Sequence, residues 1–163
     1  MRGYSLNNSI NLSIDKWHEL SKNNVDLPMR ILIYGTSMSP LVRIKKDYVT
    51  IIPMKRDAKI GDIVLFRDYV SDRYVLHRVW EIRDNGEKIL TFGDHCLAPD
   101  ALMNKEDVWG LCVKIERGKR NINPDSDKAR TYGVKWAKIE HVLYRNYIRF
   151  RSILSKIKHK IVK

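Results

Sequence analysis

Three kinds of residue able to move a proton or attack a carbonyl occur in chain order: Ser37 within Gly35-Thr36-Ser37-Met38-Ser39-Pro40, His77 within Val75-Leu76-His77-Arg78-Val79, then Asp94 and Asp100. A hydroxyl is a weak nucleophile at neutral pH, so a serine needs a base to take its proton and fixed donors to hold the oxyanion. An acid beside the histidine sets the imidazole tautomer and stabilises the imidazolium. The set suggests acyl transfer, and small residues on either side of Ser37 let a substrate backbone come close. Each residue also has a plainer reading: a Ser-rich turn, a half-buried strand histidine, and acids that cap or solvate a loop.

These side chains need rigid mounts. Residues 74–83 are rich in strand formers and alternate, setting Val75, His77 and Val79 on one face and Leu76, Arg78 and Trp80 on the other. Asn85-Gly86 predicts a two-residue type I′ turn that returns the chain along 88–92 and delivers Gly93-Asp94 near His77. Gly35 at positive φ and a stiff Pro40 predict a tight turn around Ser37. Further strands are expected over 29–34, 48–52, 62–66 and 107–116, so the chain reads as a mostly β, barrel-like or coiled-sheet domain. Ser13 as N-cap, with Leu12 and Trp17 as a hydrophobic staple, predicts a short helix beginning there.

In order and spacing, these blocks resemble the type I signal peptidase family, in its archaeal and endoplasmic-reticulum branch, over about residues 28 to 117. Gly61-Asp62-Ile63-Val64-Leu65-Phe66 and Thr91-Phe92-Gly93-Asp94 complete the likeness. The resemblance implies a signal-peptidase-like coiled β-sheet or barrel domain over 28–118, flanked by a polar segment at 1–27 and a tail at 119–163. It implies Ser37 as nucleophile, His77 as general base, Asp100 as the acid orienting it and Asp94 as a supporting residue. It also implies a serine endopeptidase that cleaves a peptide or leader sequence through an acyl-enzyme, without cofactor or metal. Gly35 departs from the serine usual at that position, so the resemblance leaves the oxyanion to the Ser37 amide and the Thr36 hydroxyl, with Gly35 and Met38 at the substrate side. Lys45-Lys46-Asp47 stands where the family tends to read Gly-Asp. Membrane-anchored members carry a hydrophobic helix before the serine, whereas residues 1–27 hold five Asn and four Ser. The alternative is a catalytically weak or inactive relative that binds peptides or a membrane surface.

Cys96 and Cys112 have no CxxC spacing and no His/Cys companions for zinc, so reduced thiols are expected. Cys96 falls in the 94–100 loop, where it could sense redox state. Charge is uneven: of 31 Lys and Arg and 19 Asp and Glu, residues 128–163 hold eleven bases and the single acid Glu140. After a polar loop over 119–127, a helix is expected from about Thr131, with Trp136, Ile139, Leu143, Tyr147, Phe150, Leu154, Ile157 and Ile161 at steps of three and four. An apolar stripe opposite Lys and Arg suits an anionic membrane surface, with packing on the body as the competing use. Nucleic acid is disfavoured, because the body shows no zinc finger, Gly-rich loop or aromatic array. No segment has the apolarity of a membrane span or secretory core, so the expected location is the cytoplasm, peripheral at the inner face of the membrane.

Overall fold

The computed structural model describes residues 8–23 and 27–161, with side chains over 14–23 and 27–155. Eight strands form: β1 Met29–Leu32, β2 Tyr48–Pro53, β3 Ile63–Asp68, β4 Arg73–Arg83, β5 Lys88–Phe92, β6 Met103–Asn104, β7 Val108–Arg117 and β8 Arg120–Ile122. They pair antiparallel in the order β1-β2-β7-β3-β4-β5-β6, with β8 added to β7. Helices α1 (Asn8–Asn23) and α2 (Asp127–Ile161) flank this sheet in sequence. The architecture is therefore mostly β with a C-terminal helix.

The apolar run of β3 separates two cores. Alternation sends Ile63 and Leu65 into one, with Ile14 and Trp17 of α1, Met38 and Val49. It sends Val64 and Phe66 into the other, with Val79, Ile89 and Leu111. A strand covered on both faces reads as uniformly apolar, as Ile63-Val64-Leu65-Phe66 does. Burying each large side chain contributes about 1.5–3 kcal/mol relative to exposure.

The Asn85-Gly86 turn forms, with both residues at positive φ (54° and 104°) and Glu87 N–H donating to the Asp84 carbonyl at 3.2 Å. Asp84 is left-handed as well (52°) and the strands pair only from Arg83 with Lys88, so the connection is longer than the two residues expected. Four further local expectations are corrected. Helix α1 begins before Ser13, which lies inside it and is not the N-cap; the Leu12 side chain falls outside the described residues. Gly35 is not among the positive-φ glycines, which are Gly61, Gly86 and Gly118. The 119–127 loop contains β8, because Gly118 at φ 58° turns the chain back and Arg120 pairs with Arg117. Helix α2 starts at Asp127, before Thr131, where the Ser126 hydroxyl accepts from Ala129 N–H at 3.2 Å, as an N-cap does.

Candidate active site

The Ser37 turn is built by its neighbours. Ser39 N–H donates to the Thr36 carbonyl (3.0 Å) and Val42 N–H to that of Met38 (2.9 Å), so Ser37 sits at the corner of a turn. The Met38 side chain is a core plug, 2% exposed, so it packs and leaves substrate to the exposed Gly35 and Thr36. Downstream, buried Asp47 accepts from Arg43 Nη2 (2.8 Å) and Arg117 Nη2 (2.8 Å), tying the end of the turn to β7. Burial opposes the Asp47 charge, but the two arginines outweigh it and hold the carboxyl down at about 2. Lys45 takes the left-handed conformation (φ 55°), which a side-chain-bearing residue adopts less readily than glycine.

His77 projects from the middle of β4 and is almost fully buried against the edge of Phe66. Its Nδ1–H donates to Asp100 Oδ2 at 2.7 Å, and the Thr91 hydroxyl donates to the same oxygen at 2.6 Å. Asp100 N–H in turn donates to the Thr91 carbonyl at 2.9 Å, so β5 fixes the acid as well as the loop that carries it. Nε2 faces Gly93. A Cβ built at Gly93 would lie 2.8 Å from His77 Nε2, 2.6 Å from Cys96 Sγ and 2.9 Å from the Ser37 carbonyl oxygen. Those three groups therefore surround one point, and only glycine leaves room for them. The Ser37 carbonyl also accepts from His95 N–H at 2.7 Å, which locks the serine turn onto the loop after β5.

Electrostatics at His77 run in two directions. Burial penalises the imidazolium, yet hydrogen bonds and charge from Asp100 and Cys96 outweigh that cost and raise His77 from 6.5 to about 9. At neutral pH the ring holds its proton, and the neutral base form gains population as pH rises.

Asp94 lies elsewhere. Arg78 Nε and Nη2 take both of its oxygens (2.8 and 2.7 Å), with Arg78 Nη1 donating to the Gly61 carbonyl at 2.9 Å. Asp94, expected as a supporting residue beside the site, is bound in an ion pair with Arg78, while His77 meets Asp100. Sequence reasoning missed Arg78 as its partner, although the alternation that separates His77 from Arg78 already put them on different faces.

Helix α2 does pack on the body, the competing use named above, but through Gly133, Ala137 and His141 and not through its apolar stripe. Gly133 rests on the Arg78 guanidinium, where a Cβ would come within 3 Å of three of its atoms. Arg130 reaches buried Asp62 at 3.2 Å, and Asp62 is also held by Arg56 at 2.7 Å. His141 Nε2–H donates to the Gly93 carbonyl at 3.0 Å while its ring stacks on Phe92. Glu140 pairs with His95 at 2.7 Å, and Tyr144 packs on the His95 ring. The helix therefore braces the same Gly93–His95 segment that meets His77 and Ser37. Among the described residues, no trio of His, Cys, Asp or Glu side chains is arranged to hold a metal ion. Likewise, no helix is long and apolar enough to cross a membrane.

In comparisons with known proteins, no protein-family model matches the chain and no curated sequence matches it.

Proposed function

We propose that the chain is a serine hydrolase of the Ser-His-Asp kind, acting on peptides in the manner of the signal peptidases its motifs resemble. One observation carries this reading: Asp100 holds His77 Nδ1–H at 2.7 Å while the opposite ring nitrogen faces the space shared by Gly93 and the Ser37 turn. That polarity suits a base at Nε2. His77 takes the Ser37 proton as Oγ attacks the peptide carbonyl, and the Ser37 amide with the Thr36 hydroxyl holds the oxyanion. The C–N bond breaks as His77 returns the proton to the leaving amine; water then releases the acyl group by the same steps in reverse. Strand β1 ends the sheet order and leads into Ser37, so an extended peptide can add along it. A peptide or leader sequence processed in the cytoplasm is the substrate class that goes with this reading.

The test is labelling with a fluorophosphonate, read by intact mass, on wild type, Ser37→Ala and His77→Ala. A single adduct that disappears in both variants is expected. Equal labelling of folded Ser37→Ala ends the serine assignment.

A second reading rests on Cys96, whose Sγ shares with His77 Nε2 the space beside Gly93. A histidine raised to about 9 between a carboxylate and a thiol is also suited to a cysteine nucleophile. Under that reading Cys96→Ala abolishes turnover while Ser37→Ala retains it. Under the first, the reverse holds.

A further inference from the structure

Helix α2 uses the wrong face for an ordinary amphipathic helix. The face that docks on the sheet carries Arg130, Gly133, Ala137 and His141, with Ala137 and His141 buried. The bulky apolar stripe points away. Nine of the fifteen exposed large hydrophobic residues among the described residues lie on this helix, with Trp136 at 44%, Leu143 at 56% and Phe150 at 60% exposed. At 3.6 residues per turn, Trp136, Ile139, Leu143, Tyr147, Phe150 and Leu154 form one continuous band. Lys135, Lys138, Arg145 and Arg149, all exposed, form a row along one flank of that band.

We infer that this outer face of α2 binds an anionic lipid surface, lying in the interface plane with its apolar band among the acyl chains. Charge complementarity selects the occupant. A second copy would bring two such basic rows together, and past Asp127 the helix offers only Glu140 as a counter-charge, already paired with His95. Nucleic acid would match the lysines and arginines but leave the apolar band in water. Anionic lipid satisfies both, with phosphates for the basic row and hydrocarbon for the band. Because the inner face of the same helix holds the Gly93 carbonyl through His141, binding brings the His77 site to roughly one helix diameter, about 10 Å, from the lipid. This inference does not depend on the hydrolase reading, and Ser37→Ala should bind as wild type does.

The experiment is flotation of the full chain with vesicles of phosphatidylcholine alone and of equimolar phosphatidylcholine and phosphatidylglycerol, beside light scattering without lipid. Flotation with the anionic vesicles is expected, stronger than with phosphatidylcholine by about tenfold or more in partition coefficient. Leu143→Glu and Phe150→Glu, both at exposed positions and checked for fold by circular dichroism, should lose binding. Lys135→Glu with Arg149→Glu should lose the preference for anionic lipid. Wild type that stays with the unbound fraction overturns the inference. Vesicle binding unchanged in Leu143→Glu and in Phe150→Glu overturns it too, as does lipid-independent dimerisation abolished by Leu143→Glu without flotation.

Discussion

His77 and Arg78 are neighbours on β4, both nearly inaccessible to water, and each meets an aspartate from the segment after β5. Their situations differ in every other respect. Arg78 keeps its charge at any ordinary pH, and both oxygens of fully buried Asp94 are spent on it. His77 can lose its proton, its acid is partly exposed, and its second ring nitrogen faces the point where Ser37, Gly93 and Cys96 converge. A one-residue step along a strand thus separates a permanent structural charge from a titratable one. Two acids six positions apart serve opposite faces, which is why spacing alone could not rank them.

The largest expected effect tests the titratable side. Under the hydrolase reading, Asp100→Asn presents His77 with the wrong tautomer and lowers the rate of Ser37 labelling by about 10⁴-fold. A loss within tenfold would remove Asp100 from the catalytic set. On the other face, Arg78→Met leaves Asp94 charged and unpaired, and urea unfolding should show a loss of about 3–5 kcal/mol. Replacing both partners, Arg78→Met with Asp94→Leu, should recover much of that loss; if the single change costs under about 1 kcal/mol, the two faces do not differ as described.

Next comes pH. The neutral ring is the base, and its pKa is raised from 6.5 to about 9, so labelling should climb about tenfold per pH unit from neutrality and level off near 9. The same raised value means that the contribution of His77 to folding stability is complete below 6.5 and is lost as pH rises through about 9. Cys96→Ala removes one of the two groups that raise the ring and should move the midpoint of the rate profile down. An unmoved midpoint would assign the shift to Asp100 alone. The smallest effect is a gain: a Cβ at Gly35 would meet only Ser37 Oγ, at an ordinary 3.9 Å, so Gly35→Ser fits. Its hydroxyl can serve as an added oxyanion donor, and about a tenfold rise in turnover of a small ester is expected. No rise would mean that the approach at residue 35 is not the oxyanion side.

The sequence by itself determined most of the strands, because β3 and β4 announce themselves through apolar runs and period-two alternation, and Asn85-Gly86 through its turn chemistry. It also brought Ser37 and His77 forward as a set with two candidate acids, Asp94 and Asp100. Short pairings such as β8 were illegible, since Arg120 and Asn121 carry no apolar signal and are ordered by their partners on β7. Tertiary structure alone decided which acid met His77, because that depends on where a loop closes across a sheet. It alone also brought Cys96 to the ring. The helical period of α2 was plain in sequence, yet which face docked was not: the apolar stripe dominates the pattern, while docking follows the ion pairs of Arg130, the space above Arg78 that only Gly133 fits, and the His141 bond to Gly93. Those contacts involve one residue here and one far away, and periodicity records nothing of them.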